Sequence, residues 1–176
     1  YSSELKKDLI SLFNSAFDQY SHSLHSCYKI IGKDIYSTIA LHEAINKGAD
    51  EALLLDKNSF ISEGSGENIF IVKDGVISTP KTEHCLNGIT RQSVIKIAKD
   101  FGYTIDEKNL TYEDLLDSDE AFFSGTAVEI TPISKIDETI IGSGSCGDIT
   151  EKLQSTYSDI VYGRNELYKD WLTLAS

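Results

Sequence analysis

The sequence is poor in basic residues, cysteine and proline, and it contains no methionine. Sixteen Lys and Arg stand against 28 Asp and Glu among its 176 residues, which gives a formal net charge of −12. Such a field repels nucleic-acid phosphates and anionic headgroups, so we expect no nucleic-acid or membrane-surface binding. No apolar run reaches the ~18 residues of a membrane span. With two Pro and 12 Gly, the chain is neither collagen-like nor of low complexity.

The cysteines are odd in number and far apart, at Cys27, Cys85 and Cys146. This spacing argues against a disulfide framework and favours a reducing, cytoplasmic compartment. No Cys-His-Asn spacing stands out, so we expect small core or surface residues rather than nucleophiles. Because the sequence begins at Tyr1 and lacks Met, we expect a processed, truncated or incompletely recorded chain.

Hydrophobic periodicity predicts a mixed α/β domain, and its hairpins argue against a purely parallel sheet. In the helix predicted over residues 90–101, Thr90 is expected to cap the start and Gly102 to end the helix. Asp148 and Glu151 are expected to form a capping box at the start of the last predicted helix. The predicted helices are Leu5–Tyr20, Ile35–Lys47, Thr90–Phe101 and Asp148 to about Tyr162. The predicted strands are Ala52–Leu55, one starting at Phe60, the hairpin Asn68–Val72 with Val76–Thr79, Ala121–Phe123 and Ile130–Ile136.

Two familiar motifs are weak here. Residues 142–147 read G-x-G-x-x-G, but a dinucleotide site needs a further βαβ unit and an acidic residue about 20 positions later. We therefore interpret this segment as a connecting loop. His22 and His25 lie beside Cys27, yet no second ligand pair follows, so no metal site is predicted.

Lys29 is a lysine with largely apolar neighbours on both sides, in the run CYKIIG. Loss of hydration lowers the pKa of such an ammonium group and frees an amine for Schiff-base chemistry. From these neighbours alone, a lysine that extends from a strand edge to water is the commoner explanation.

Three loops elsewhere in the sequence favour the Schiff-base interpretation of Lys29. SEGSGENIF (62–70) carries glycines that let the backbone approach a ligand, flanked by Glu63 and Glu67. LNGITR (86–91) leads from a glycine into a helix N-terminus, where free N–H groups and the helix dipole suit a phosphate. SGTAVEITP (124–132) adds hydroxyls and backbone donors. With a Schiff-base lysine, these loops suggest pyridoxal 5′-phosphate.

The ordered blocks K-x-x-G at Lys29, GADEALLLD, ISEGSGENIF with KDG, LNGITR and SGTAVEITPI resemble the class IV (fold type IV) pyridoxal-phosphate aminotransferases, and among them the branched-chain aminotransferases. The resemblance runs from about residue 29 to 162. It implies the large cofactor-binding domain of that fold, a mixed sheet or pseudo-barrel flanked by helices. It also implies a homodimer with sites near the interface.

The resemblance also implies roles for individual residues. Lys29 falls on the lysine that forms the Schiff base and moves the substrate proton. Glu63 falls on the carboxylate that pairs with the pyridine nitrogen and keeps the ring an electron sink. The implied phosphate ligands are Gly88, Ile89, Thr90 and Thr126. The implied substrate-binding residues are Gly125 and Ala127, the latter through a backbone N–H near the substrate carboxylate.

The chain departs from the family pattern in two places. Asp34 stands where a tyrosine usually contacts the cofactor 3′-oxygen, and Tyr36 is a possible substitute. Residues 1–28 are expected to be a helix and linker left from the small N-terminal domain, and residues 29–176 the large domain. The family's phosphate arginine and pocket aromatics lie in that small domain.

The sequence therefore predicts transamination of Leu, Ile and Val with 2-oxoglutarate, through amino-acid and 2-oxo-acid substrates and without a metal. Three alternatives stay open: D-amino-acid transamination, aminodeoxychorismate lyase chemistry on the same fold, or a non-catalytic remnant that keeps the fold but cannot close a substrate pocket.

Overall fold

Nine strands form one mixed sheet in the computed structural model, which describes residues 10–14 and 35–173. The strands are β1 Ile10–Asn14, β2 Glu51–Leu55, β3 Ile61–Gly64, β4 Asn68–Lys73, β5 Val76–Pro80, β6 Thr104–Lys108, β7 Glu120–Gly125, β8 Glu129–Ile136 and β9 Thr139–Ile140. The helices are α1 Ile35–Asn46, α2 Ile89–Asp100, α3 Tyr112–Leu116 and α4 Asp148–Val161, followed by a 3₁₀ helix at Glu166–Trp171.

The sheet curls so that its two edges meet. Its strand order is β3-β2-β1-β8-β7-β4-β5-β6, with β9 added beside β8. β1 runs parallel to β2 and β8, β5 runs parallel to β6, and the other neighbours are antiparallel. Ile61 of β3 bridges to Leu110, just beyond β6 at the opposite edge, through an N–H···O bond of 2.7 Å. The predicted α/β class with a mixed pseudo-barrel flanked by helices is confirmed.

Each face of the curled sheet buries its own apolar cluster. The inner cluster includes Leu12, Leu53, Ile69, Phe123 and Ile133. The outer cluster lies beneath α2 and α4 and includes Phe70, Val94, Ile97, Phe122 and Leu153. Because side chains alternate along a strand, consecutive residues such as Phe122 and Phe123 face opposite clusters. The continuous apolar run predicted for β2 is buried in this way, with Leu54 packed beneath α1.

The helix predicted over Leu5–Tyr20 is wrong for residues 10–14, which form β1. This strand pairs with β2 on one side and β8 on the other, so long-range ladder bonds override a helical spacing of apolar residues. Ile10 and Leu12 turn to the inner cluster, while Ser11 N–H and Oγ donate to Asp50 Oδ2 at 2.9 and 2.7 Å. The domain boundary at residue 28 lies outside the described residues and stays a prediction.

Both predicted N-terminal caps are wrong, although α2 and α4 occupy the expected segments. Thr90 lies inside the first turn of α2, whose N-cap is Gly88. Gly147 is the N-cap of α4, and no capping box forms between Asp148 and Glu151. The C-terminus of α2 is as expected, because Gly102 takes the left-handed φ of +81° that ends a helix.

The other local predictions hold with small changes of boundary. Asp74 and Gly75 both have positive φ between β4 and β5, as a tight hairpin turn requires. The sequence pattern does not predict β6 and α3, because the polar stretch from residue 104 to 116 shows little periodicity. Within residues 10–14 and 35–173, no helix combines the length and apolar character needed to cross a bilayer.

Candidate active site

Three loops predicted to bind a cofactor come together at one place. The end of β3, where the SEGSGEN block begins, contacts the segment before α2, because Leu86 N–H donates to Glu63 Oε2 at 3.1 Å. Asn68, the first residue of β4, donates from Nδ2 to the Leu86 carbonyl at 2.7 Å. The turn after β7 meets the same region, since a Cβ built on Gly125 would lie 3.3 Å from Glu67 Cγ. Residues about 60 positions apart in sequence therefore line one site.

The first turn of α2 is open for an anion. Its N-cap is Gly88, and no side chain caps it. The first N–H groups of a helix have no partner within the helix, and the dipole places partial positive charge there. Ile89 is 83% exposed at this end of the helix. A Cβ on Gly88 would lie 2.4 Å from Asn68 Oδ1, which explains why glycine is needed here.

An unsatisfied hydroxyl lies beside this helix start. Ser124 is 1% exposed, and within the described part of the chain its Oγ has no hydrogen-bond partner. Ser124 is paired directly with Asn68 across β7 and β4, so both side chains project from the same face. That face carries the stacked rings of Phe70 and Phe122 beneath α2. A buried hydroxyl left without a partner fits a site that a polar ligand completes.

Glu63 is held half-buried on an edge strand next to that segment. Besides the bond from Leu86, its neighbour Ser62 donates from Oγ to the His84 carbonyl. Two consecutive residues of β3 thus fasten the segment that precedes α2. The Glu63 carboxylate therefore contacts Leu86, two residues before the N-cap of α2.

Two acidic side chains, Glu51 of β2 and Glu67 of the SEGSGEN loop, lie close together. Glu51 is buried, and its Oε1 accepts hydrogen bonds from Ala52 N–H at 2.7 Å and Ser65 N–H at 3.2 Å. Burial, followed by the nearby charge of Glu51, raises the pKa of Glu67 to about 7. The bond from Gly66 N–H to Glu67 Oε2, 3.0 Å long, acts in the opposite direction. Near neutral pH Glu67 is therefore protonated for part of the time.

Arg91 fastens the start of α2 to the sheet. Its guanidinium is buried, and Nη2 contacts Glu107 Oε2 at 2.7 Å and the Pro80 carbonyl at 2.9 Å. Nη1 donates to Asn87 Oδ1 at 3.3 Å. A cation with several partners of this kind links β5, β6 and α2, so the open helix start is held by rigid elements.

The other glycine-rich segment, residues 142–147, has no comparable opening. It is a loop between β9 and α4, as expected. Glu120 of β7 fills the start of α4: Oε1 accepts from Ile149 N–H at 3.1 Å, and Oε2 from Thr150 N–H at 2.7 Å. A protein carboxylate already occupies the place that a dinucleotide phosphate would need.

The described residues offer neither a reactive thiol at Cys85 nor a cluster of metal-ligating side chains. Burial raises the pKa of the Cys85 thiol to about 12, so it stays protonated and is a poor nucleophile. No group of three or more His, Cys, Asp or Glu side chains within residues 10–14 and 35–173 could hold a metal ion. His22, His25 and Cys27 lie outside the described residues.

The predicted site residues are placed as follows. Glu63 accepts a hydrogen bond from Leu86, two residues before Gly88, and Gly125 lies close to the SEGSGEN loop. Gly88 is the N-cap of α2, and Ile89 and Thr90 form the start of that helix. Thr126 and Ala127 are exposed in the turn that follows β7. Their roles toward a ligand stay predictions.

Lys29, the predicted reactive lysine, lies outside the described residues, as does Asp34. Tyr36 lies on α1 with its side chain exposed. Sequence reasoning missed the contributions of Asn68 and Ser124. Ser124 begins the hydroxyl-rich block, which was a usable signal, whereas only the β4–β7 pairing reveals its position beside Asn68.

Comparisons with known proteins identify the family of this chain. The model of the family Amino-transferase class IV matches residues 2–136. The branched-chain-amino-acid aminotransferase of Pseudomonas aeruginosa is 51% identical over 143 residues, which are 81% of this chain and 47% of that protein. The enzyme of the same name from Escherichia coli K12 is 41% identical over 152 residues, 86% of this chain and 49% of that protein.

Solved structures give the same result. The branched-chain aminotransferase of Thermoproteus uzoniensis with norvaline has a TM-score of 0.90 and 43% identity, covering 96% of this chain and 57% of that one. The Thermobaculum terrenum enzyme in its PLP (holo) form has a TM-score of 0.91 and 33% identity, covering 96% and 56%. The chain thus spans about half the length of the curated relatives it matches. By sequence model and fold together, it belongs to the class IV aminotransferases.

Proposed function

We propose that this chain is the large cofactor-binding domain of a pyridoxal-phosphate enzyme that transfers amino groups from Leu, Ile and Val to 2-oxoglutarate. The observation that carries the proposal is the open start of α2 beside Glu63, in a chain of this family. The relatives named above are branched-chain-amino-acid aminotransferases, and the neighbouring structure from Thermobaculum terrenum is a PLP form. The large domain would comprise residues 29–176.

The residues around α2 fit a phosphate. In this proposal, the N–H groups of Ile89 and Thr90 bind it at the positive end of the helix dipole, where Gly88 leaves the backbone accessible. Thr126 adds a hydroxyl from the turn after β7. The unsatisfied Oγ of Ser124 supports this placement, because a bound anion or its water would complete that group.

Glu63 and Lys29 would carry the chemistry. When bound, the cofactor supplies an electron-withdrawing ring that stabilises negative charge at the substrate Cα. Glu63 would hold a proton on the pyridine nitrogen, and the bond from Leu86 N–H keeps its carboxylate oriented. Lys29 would hold the cofactor through its amine and then move the proton at the substrate Cα.

Substrate binding would use the turn after β7. Gly125 would let the turn pack against the SEGSGEN loop, where a Cβ would lie 3.3 Å from Glu67 Cγ, and Ala127 would donate its backbone N–H to the substrate carboxylate. The alternatives of D-amino-acid transamination and aminodeoxychorismate lyase chemistry are distinguished by assaying Leu, Ile and Val against D-Ala. We also propose that the protein is a cytoplasmic homodimer. Light scattering would measure the mass of the assembly.

Cofactor attachment tests the central proposal. The purified protein is loaded with pyridoxal phosphate, reduced with borohydride and digested, and the labelled peptide is identified by mass spectrometry. We expect the label on Lys29, and Lys29→Ala should lose the covalent absorption band. Lys47→Ala, at an exposed position after α1, is the matched control and should keep it. A label on another lysine would contradict the assignment.

A further inference from the structure

A buried carboxylate and a histidine lie beside the segment that leads into α2. Asp56 follows β2 and is 2% exposed, and its Oδ1 accepts from Asn58 N–H at 2.8 Å and Phe60 N–H at 2.9 Å. Its Oδ2 has no regular hydrogen bond from any residue that the structure describes. The neighbour of Oδ2 is His84 Nδ1, 2.9 Å away, on a side chain that is 20% exposed.

This arrangement makes His84 the group that compensates Asp56. Because a buried carboxylate oxygen without a partner is destabilising, the contact of His84 Nδ1 with Oδ2 at 2.9 Å stabilises the buried carboxylate. Asp56 itself is fixed by the backbone of its own turn, through Asn58 and Phe60. The histidine is therefore tied to a rigid anchor.

His84 lies in the segment that serves the candidate active site. Its own carbonyl accepts from Ser62 Oγ, and two residues later Leu86 N–H donates to Glu63. Gly88, the N-cap of α2, follows after two more residues. The side chain of His84 holds this segment from one side, while its backbone is fastened to β3 from the other.

We propose that His84 is a positioning residue: its pairing with Asp56 holds residues 84–88 so that Leu86 orients the Glu63 carboxylate and α2 presents its open start. The role given to Glu63 rests on the proposed function. The contact between His84 and Asp56 and its effect on Leu86 do not, so they can be tested without cofactor.

The experiment compares four variants of the purified protein. His84→Asn keeps an N–H donor near the position of Nδ1, His84→Gln moves that donor further out, and His84→Ala removes it. His42→Ala replaces an exposed histidine on α1 and serves as the control. Amide hydrogen exchange is followed at Leu86 without cofactor, with the amides of the β4–β5 hairpin as an internal reference. Pyridoxal-phosphate affinity is then measured by absorbance titration.

We expect His84→Ala and His84→Gln to speed exchange at Leu86 by ~10-fold, the size expected for losing one bond to a charged group, while the hairpin amides keep their rates. Cofactor affinity should fall in the same two variants by a similar factor. His84→Asn and His42→Ala should match the parent protein in both measurements.

Unchanged exchange at Leu86 in both His84→Ala and His84→Gln would overturn the proposal. Equal acceleration of the hairpin amides would also overturn it, because that result indicates only global destabilisation. If His84→Ala does not fold, the comparison of Asn with Gln still decides the question. A parent protein that binds no pyridoxal phosphate would refute the proposed function but leave the exchange test intact.

Discussion

The pair Glu51–Glu67 makes the stability of the folded chain depend on pH in a direction that can be worked out. Burial and the charge of Glu51 raise the pKa of Glu67 from 4.5 to about 7. The folded protein therefore binds this proton more tightly than the unfolded chain does. Its contribution to stability is full below about pH 4.5 and is lost as the pH rises through about 7. Glu67→Gln, which cannot ionise, should escape that loss.

The magnitude follows from the same values. Each pKa unit corresponds to about 1.4 kcal/mol, so a rise from 4.5 to about 7 amounts to roughly 3 kcal/mol. Glu67 keeps some contact with water, which screens part of this, so we expect about 2 kcal/mol. Relative to the parent protein, Glu67→Gln should be more stable by about this amount near pH 8 than near pH 5.

Urea unfolding of the cofactor-free protein at the two pH values measures this difference directly. Glu138→Gln, at an exposed turn position, is the control for removing one negative charge from a chain with a net charge of −12. A stability difference between Glu67→Gln and the parent that does not change with pH would refute the reasoning. So would an equal pH dependence in the Glu138 control.

Three further changes test the site and the fold. Glu63→Gln should keep the fold and bound cofactor but lower transamination by at least ~10²-fold, measured at full occupancy checked by absorbance. Glu120→Ala leaves the start of α4 uncapped and should lower the free energy of unfolding by about 2 kcal/mol in urea titrations. Gly88→Ala places a Cβ 2.4 Å from Asn68 Oδ1 and should cost about 1–3 kcal/mol, whereas Gly66→Ala meets open space and should cost less. Equal costs at the two glycines would contradict the close contact.

Local patterns predict most of the fold because local contacts specify it. The hairpin β4–β5 follows from Asp74-Gly75, and the end of α2 follows from Gly102, since each position needs a positive φ. β1 is not predicted, because long-range contacts rather than local ones specify it. Its five residues satisfy a helical spacing as well as a strand, and only pairing with β2 and β8 decides between them.

The sequence predicts which loops form the candidate site, but it does not predict how their side chains are arranged. The blocks SEGSGEN, LNGITR and SGTAVEITP indicate ligand-binding backbone by composition, and the structure brings their residues together. Glu51 cannot be recognised from sequence, because nothing near it in the chain shows that it interacts with Glu67 in the turn after β3. No local pattern predicts that Asp56 contacts His84 either, because the two residues are 28 positions apart in the sequence.

The two helix starts show why a motif alone cannot assign an anion site. The G-x-G-x-x-G segment precedes α4, but the carboxylate of Glu120, on β7, already accepts hydrogen bonds from the first N–H groups of that helix. It also supplies the negative charge that the N-terminus of a helix attracts. LNGITR precedes α2 and matches no dinucleotide pattern, yet no side chain caps that helix, and a buried hydroxyl without a partner among the described residues lies on the strand beside it. A carboxylate from the protein and a phosphate from a ligand compete for the same kind of position. In this chain β7 determines both outcomes: its first residue, Glu120, closes the start of α4, and Ser124 lies beside the open start of α2.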